Sequence, residues 1–185
     1  MAANIDPVRS CSRRDFLRTA FAAVPAIVAS GPVIARSADV RALRFSHTHT
    51  GEQLAIEYFS DRAYLTDALA TVNHFLRDFR TGEIHDIDPA LLDLLHTLAR
   101  ATETSRPFQV ISGYRSPATN EMLRRHSEGV AAGSLHMNGQ AIDIRLADVP
   151  LSSLRRAALH AKGGGVGYYP VSDFVHVDTG RVRTW

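Results

Sequence analysis

The strongest constraint in this 185-residue chain is a carboxylate placed inside an apolar stretch. Asp143 lies within residues 141–146, a run of mainly aliphatic side chains that predicts a largely buried strand. A buried carboxylate costs about 3 kcal/mol or more unless it is paired or binds a metal ion. His136 precedes it, and the intervening Asn138-Gly139 dipeptide predicts a turn, so both side chains can face the same point.

A second histidine has similar neighbours. His176 lies between Val175 and Val177 in another short apolar run. Two imidazoles and one carboxylate leave one position open on a tetrahedral zinc ion, which is the arrangement of catalytic zinc sites. Histidines in apolar strands are also often core residues, so spacing alone leaves a metal site and a structural cluster as alternatives.

These residues belong to a longer pattern, Ser134-x-His136-x6-Asp143 followed by Asp173-x2-His176, with Ser-Gly-Tyr-Arg-Ser-Pro at residues 112–117. The pattern resembles the zinc D-Ala-D-Ala peptidases of the VanX and VanY type. It is most similar to the exported, YcbK-like branch of that family, a domain of unknown function. The resemblance extends over residues 43–185 and includes the segments 48–52 and 180–185. It implies a murein endopeptidase-like zinc metallopeptidase with the hedgehog-like fold of the family.

The resemblance also implies roles for individual residues. It implies one zinc ion per chain, with His136, Asp143 and His176 as the ligands. Asp173 stands where VanX-type relatives carry the glutamate of Glu-x-x-His, and it is therefore the predicted general base. Strand alternation places Asp173 and His176 on opposite faces, so the chain must bend between them.

Four further residues are candidates near this centre. Arg115 directly follows a predicted strand, and relatives keep an arginine there that contacts the substrate carbonyl. Asp178 is predicted to orient an imidazole. Ser134 and Tyr114 are candidates for supporting the site or contacting the substrate.

The start of the sequence predicts export. Residues 12–18, Ser-Arg-Arg-Asp-Phe-Leu-Arg, form a twin-arginine signal, and the apolar residues 21–28 follow it. Small residues permit cleavage after Ala35 or Ala38. We therefore expect a signal peptide over residues 1–38, a catalytic domain over residues 39–185 and a periplasmic location. The apolar run is too short to span a membrane, so we expect no stable insertion after signal removal.

Charge and cysteine content exclude other classes. The sequence pI of about 9.0 comes from the leader, because residues 39–185 carry 16 basic and 17 acidic side chains. Lys162 is the only lysine, and no basic cluster predicts nucleic-acid binding. The single cysteine, Cys11, lies in the leader, so the mature chain offers no thiol nucleophile. We expect a monomer.

Hydrophobic periodicity predicts a single α+β domain, with helices packed on a mostly antiparallel sheet. The predicted elements, in chain order, are a hairpin of strands 42–45 and 54–59, a helix over residues 65–79, a helix beginning at Asp88-Pro89, a strand over 108–111, a helix from Pro117, a helix over 152–162 and closing strands over 174–178 and 182–185. The glycine-rich residues 163–167 are interpreted as a flexible turn lining the cleft, and residues 129–133 as a small-residue loop that leads into the Ser134 motif.

These observations predict an exported zinc metallopeptidase that acts on the peptide part of peptidoglycan. The two glycine-rich segments suggest an open groove, and Arg115 is the only basic residue placed at the site. Both points favour an endopeptidase that cleaves peptide cross-links. Two alternatives remain open, a zinc-stabilised wall-binding module without turnover and a D-Ala-D-Ala carboxypeptidase.

Overall fold

The computed structural model describes residues 39–126 and 130–185. The predicted signal peptide, residues 1–38, lies outside the described residues. Within the two described ranges, no helix combines the length and the apolar character that crossing a lipid bilayer requires.

An eight-stranded sheet runs through the described part of the chain. Its strands are β1 (Arg41–His47), β2 (Gln53–Ser60), β3 (Ala63–Tyr64), β4 (Phe108–Ser112), β5 (Ala141–Arg145), β6 (Gly165–Tyr169), β7 (Phe174–Asp178) and β8 (Arg183–Thr184). Their order across the sheet is β3-β2-β1-β4-β5-β7-β6-β8. Only the β1–β4 and β6–β8 pairs are parallel, so the prediction of a mostly antiparallel sheet is confirmed.

Four α-helices accompany the sheet in the described residues: α1 (Thr66–Phe75), α2 (Pro89–Thr102), α3 (Pro117–His126) and α4 (Leu151–Ala161). The predicted start of α2 is confirmed, because the Asp88 side chain accepts a hydrogen bond from the amide of Ala90 at 2.9 Å. Helix α1 is shorter than predicted. It ends at Phe75, since the carbonyl of Leu76 accepts the amide of Tyr114 at 2.8 Å and the chain turns away there.

The core lies between the sheet and the helices. Helices α2 and α4 pack against each other, and both contact the sheet. Four leucines of α2 are fully buried, and each contributes about 2 kcal/mol through removal of apolar surface from water. They are Leu91, Leu92, Leu95 and Leu98. Ile142 and Ile144 of β5 belong to the same cluster, so the strand that carries Asp143 is anchored in the core.

The prediction that residues 163–167 form a flexible turn is wrong, because this segment enters strand β6 and pairs with β7. Its glycines are required by close packing. A Cβ on Gly165 would lie 2.5 Å from Oδ2 of Asp178, and one on Gly167 would lie 2.8 Å from the ring of Trp185. Glycine here makes room for neighbouring side chains. From the sequence alone, a run of glycines that serves close packing looks the same as one that gives a mobile segment.

Candidate metal centre and its cleft

Two adjacent strands bring the predicted carboxylate and one predicted imidazole together. Asp143 of β5 lies directly opposite His176 of β7 in the antiparallel register. His136 belongs to a short 3₁₀ helix, Leu135–Asn138, which immediately precedes β5. Gly139 ends this helix with a positive φ of 65°, and a Cβ there would overlap the carbonyl oxygen of Asp86. The predicted turn at Asn138-Gly139 is therefore confirmed, and it directs His136 towards Asp143.

Three potential ligand atoms converge at this point. Nδ1 of His176 lies 2.9 Å from Oδ1 of Asp143 and 3.2 Å from Nε2 of His136. Nε2 of His136 lies 3.3 Å from the same carboxylate oxygen. All three residues are buried, and their ligand atoms lie within 4.8 Å of one another. The predicted trio is thus assembled into one group that could hold a metal ion.

The outer hydrogen bonds of both imidazoles direct unprotonated nitrogens to the centre. Nδ1 of His136 lies 2.7 Å from the carbonyl oxygen of Gly113, so this nitrogen donates and Nε2 carries the lone pair. Nε2 of His176 lies 3.1 Å from Oδ2 of Asp178, so when the imidazole is neutral and Nε2 donates, Nδ1 carries the other lone pair. Two lone pairs and a carboxylate oxygen facing one point fit a divalent cation such as zinc.

The carboxylates and imidazoles of the cluster shift one another's pKa values. Burial alone would raise the pKa of Asp143, but the imidazoles of His136 and His176 outweigh it and hold this pKa below its usual range. Burial would lower the pKa of His176, yet Asp143 and Asp178 raise it to about 9. Metal ligands bind in their deprotonated forms, so a metal held by this cluster would bind more weakly as the pH falls.

A cleft of about 420 Å³ opens beside the cluster. Arg115 lines it, as predicted from its position after a strand. Nη2 of Arg115 makes a long hydrogen bond of 3.4 Å to Oγ of Ser112 and lies 3.6 Å from Oδ2 of Asp143. Its Nε is buried and has no hydrogen-bond partner among the described residues. This guanidinium consequently keeps donor capacity for a ligand in the cleft.

An aromatic wall, formed by Tyr169, Phe174 and Trp185, was not anticipated from the sequence. The rings of Tyr169 and Phe174 stack at 4.5 Å, and Nε1 of Trp185 donates to the Tyr169 hydroxyl at 2.7 Å. The Trp185 ring centroid lies 5.2 Å from that of His176. Phe174 could have been found from the sequence, because it shares with His176 the face of strand β7 defined by alternation.

The structure brings some of the remaining candidates to the cluster and leaves others apart. Ser134 lines the cleft. Asp178 is fully buried behind His176. Tyr114 lies outside the cleft lining, where its hydroxyl donates to Oε1 of Glu83 at 2.7 Å and its ring stacks on His85.

Asp173 does not join the ligand cluster. It has a positive φ of 53°, which gives the predicted bend before β7. Its side chain is 62% exposed, and Oδ2 accepts a hydrogen bond from Nη1 of Arg145 at 3.0 Å. The bend directs the carboxylate towards β5 but leaves it at the protein surface.

A carboxylate and two imidazoles at a cleft define the class, a metallopeptidase-type centre. Residues 35–185 match the model of the Peptidase_M15_2 family, which is described as Peptidoglycan L,D-endopeptidase MepK, and the chain belongs to this family.

Individual relatives carry the same name. The Peptidoglycan L,D-endopeptidase MepK of Escherichia coli strain K12 is 44% identical over 176 residues, which cover 94% of this chain and 97% of that protein. The protein of this name from Shigella flexneri has the same identity and coverage. The Probable peptidoglycan L,D-endopeptidase MepK of Haemophilus influenzae is 42% identical over 146 residues, or 78% of each chain. The predicted family and the prediction of an enzyme are confirmed.

Proposed function

We propose that this protein is an exported zinc endopeptidase that hydrolyses L,D peptide cross-links of peptidoglycan during cell-wall remodelling. The observation that carries the proposal is the convergence of His136 Nε2, Asp143 Oδ1 and His176 Nδ1 beside a cleft. The relatives named above support the substrate, since each is called a peptidoglycan L,D-endopeptidase.

Zinc is the proposed cofactor, one ion per chain, held by His136, Asp143 and His176. Two imidazole nitrogens and one carboxylate oxygen form a ligand set found in catalytic zinc sites, with a fourth position left for water or substrate. When bound, the metal supplies Lewis acidity towards water and towards a peptide carbonyl.

Arg115 is proposed to stabilise negative charge that develops on the oxygen of the scissile carbonyl. Its side chain is 11% exposed, so the guanidinium acts in a poorly solvated environment where hydrogen bonds to charge are strong. The free Nε and the weakly engaged Nη2 supply donors without breaking a strong existing interaction.

Asp173 is proposed as the general base that takes a proton from water and returns it to the leaving amine. Its present partner is Arg145, at the protein surface. An exposed ion pair of this kind contributes about 0–1 kcal/mol, so Asp173 can leave Arg145 at little cost when substrate binds.

Three other residues have proposed supporting roles. Ser134 makes no capping hydrogen bond to the 3₁₀ helix that follows it, so its hydroxyl is available to substrate. Asp178 orients His176 through the hydrogen bond to Nε2. Tyr114 acts indirectly, because its contacts with Glu83 and His85 fix the backbone next to Arg115.

Basic groups in the cleft favour an endopeptidase over a carboxypeptidase. Recognition of a terminal carboxylate usually requires an uncommitted cation. The arginines among the described cleft-lining residues are Arg115 and Arg183, and both Nη atoms of Arg183 are bound to Asp178. Arg115 is needed at the carbonyl. Small residues of the predicted loop, Val130, Ala131 and Gly133, do line the cleft and leave room for an extended chain.

The test offers the purified mature protein three substrates separately: dimers with an L,D cross-link, dimers with a D,D cross-link and uncross-linked pentapeptide monomers. Mass spectrometry of the products should show cleavage of the L,D dimers alone, and a chelator or the His136→Ala change should abolish it. Release of terminal D-alanine from the monomers with intact dimers would establish the carboxypeptidase alternative. Zinc binding without any cleavage would establish the wall-binding module.

We further propose the finer features that the resemblance implies: a hedgehog-like zinc peptidase fold, a monomer, a signal peptide over residues 1–38 and a periplasmic location reached by the twin-arginine route. Export is tested by replacing Arg13 and Arg14 with lysine. The full-length precursor should then accumulate in the cytoplasm, and unchanged arrival of processed protein in the periplasm would refute the route.

A further inference from the structure

Arg183 lines the cleft, but its guanidinium is turned to a buried carboxylate behind His176. We propose that Arg183 is a positioning residue that fixes, through Asp178, which nitrogen of His176 faces the metal centre. This inference rests on the proposed function only in taking His176 as a metal ligand.

Asp178 is fully buried and is surrounded by fixed donors. Its Oδ1 accepts the amides of Gly165 and Gly180, both at 2.9 Å, and Nη1 of Arg183 at 3.0 Å. Its Oδ2 accepts Nη2 of Arg183 at 2.7 Å. All these partners are N–H groups, so Asp178 can only accept a hydrogen bond from His176 as well.

The direction of that last hydrogen bond determines the ligand atom. Asp178 can only accept, so it holds the proton of a neutral His176 imidazole on Nε2, 3.1 Å from Oδ2, once a cation rather than a proton lies between Nδ1 and Asp143. The lone pair is then on Nδ1, which is the nitrogen next to Asp143 and His136. Loss of this constraint would permit the other tautomer, with a proton directed into the ligand cluster.

Close packing on one side keeps Arg183 next to Asp178. A Cβ on Gly165 would clash with the guanidinium of Arg183 and with Oδ2 of Asp178, and one on Gly164 would overlap the carbonyl of Asp178. The two Nη atoms bind the two carboxylate oxygens as a planar fork, a geometry that lysine does not provide.

The arginine is itself held in place by its surroundings. Strand β8 pairs with β6 so that Arg183 lies opposite Gly165. Its guanidinium lies 4.8 Å from the centroid of the Trp185 ring, and Nη1 also donates to the carbonyl of Arg181 at 3.1 Å. These contacts fix the fork before any ligand binds, as positioning of His176 requires.

The experiment compares Arg183→Gln, Arg183→Lys and a matched control, Arg181→Gln, which changes an exposed arginine of the same segment. Zinc affinity is measured by competition with a chromophoric chelator, and the His176 tautomer is read from ¹⁵N chemical shifts of the zinc-loaded protein. Arg183→Gln should weaken zinc binding about 10–100-fold, the usual effect of losing an outer partner of a ligand. Arg183→Lys should fall between this variant and wild type, and Arg181→Gln should match wild type.

A second comparison separates positioning from general support of the fold. If Arg183 acts through Asp178, Arg183→Gln should change zinc affinity less than about threefold when introduced into an Asp178→Asn protein. An undiminished effect in that background, or wild-type affinity and tautomer in folded Arg183→Gln, would overturn the proposal. If Arg183→Gln does not fold, the zinc affinity and the His176 tautomer of Arg183→Lys, alone and in the Asp178→Asn background, test the proposal instead.

The outcome is independent of the substrate. Wild-type protein that binds zinc but cleaves no cross-link would refute the proposed function, and the affinity and tautomer of the Arg183 variants would still decide the positioning role. Normal cleavage of cross-links together with unchanged zinc affinity in Arg183→Gln would refute the positioning role alone.

Discussion

Two buried carboxylates, Asp143 and Asp78, have opposite kinds of partner. Asp78 is 1% exposed and accepts the amide and hydroxyl of Ser116 at 2.9 and 2.7 Å and the amide of Arg80 at 2.9 Å. Asp143 is 6% exposed, and its short contact of 2.9 Å is with an imidazole nitrogen of His176. Each of the two imidazoles that face Asp143 also has an outer acceptor for its proton.

The difference distinguishes a structural carboxylate from a proposed metal ligand. Asp78 is satisfied by neutral donors, so its charge is stabilised by the fold alone and it fixes the chain near α3. Asp143 faces two imidazole nitrogens that could share a cation with it, and its other near neighbour is the Arg115 guanidinium at 3.6 Å. Burial is nearly the same in both cases, and the direction of the neighbouring N–H groups decides the role.

The largest expected effect comes from removing each of these two carboxylates in turn. Asp143→Ala should lose most of the bound zinc and essentially all activity, because a three-residue ligand set does not tolerate loss of one member. Asp78→Asn should keep one zinc per chain and lose about 1–3 kcal/mol of stability, because hydrogen bonds to a buried charge are broken. Elemental analysis and urea unfolding measure the two quantities. Full zinc occupancy in Asp143→Ala would show that the ligand set is wrong.

A smaller effect is expected for a carboxylate outside the cluster. Asp173→Ala should retain zinc and reduce kcat by roughly 10²–10⁴-fold, the usual contribution of a general base. Arg145→Ala is the matched control, because it removes the ion pair and leaves the carboxylate. If the two variants show the same slight loss of rate, Asp173 is only a surface partner of Arg145 and the base is another group.

Arg115→Ala should also retain zinc, because the guanidinium is 3.6 Å from Asp143 and contributes no ligand. Its loss of charge stabilisation should lower kcat/KM by about 10²–10³-fold. Steady-state kinetics on cross-linked dimers, beside a zinc determination on the same preparation, test this. Zinc loss equal to that of Asp143→Ala would instead make Arg115 a support of the ligand cluster.

The smallest expected effect is the pH dependence that Asp78 confers on stability. Hydrogen bonds from Ser116, Thr119 and Arg80 outweigh burial and lower the pKa of Asp78 from 3.8 to about 2. Because the folded pKa is below the unfolded one, the stabilisation is complete above about pH 4 and is lost as the pH falls through 2. It amounts to about 2 kcal/mol.

The measurement is urea unfolding between pH 2 and 6, with a chelator present so that metal loss does not contribute. Asp78→Asn should remove this part of the pH dependence and leave the rest. An identical slope for wild type and variant would show that Asp78 has no lowered pKa in the folded protein.

Local patterns in the sequence predicted much of this arrangement. The apolar run around Asp143, the Asn138-Gly139 turn and the start of α2 each depend on neighbouring residues, and all are confirmed by the structure. The three proposed metal ligands also lie together as predicted, because two of them belong to apolar strands and the third follows from the turn.

Features that depend on distant contacts were missed. The end of α1 is decided by a hydrogen bond between Leu76 and Tyr114. The glycines of β6 are required by Asp178 and Trp185, which lie more than ten residues away. The contact between Arg183 and Asp178 depends on the pairing of β6 with β7 and β8, and that between Asp173 and Arg145 on the pairing of β5 with β7. The spacing of residues in the sequence does not show which strands pair.

The direct opposition of Asp143 and His176 across β5 and β7 has a consequence for assembly of the sheet. A slip of one residue between these strands would turn one of the two side chains to the opposite face, since alternation has a period of two. A cation that binds only when both side chains face the same side would therefore stabilise the native alignment alone. The stabilisation is RT ln(1 + [L]/Kd), where [L] is the concentration of the free cation. A metal ion held by both residues would thus favour the native alignment of β5 and β7 over a slipped one.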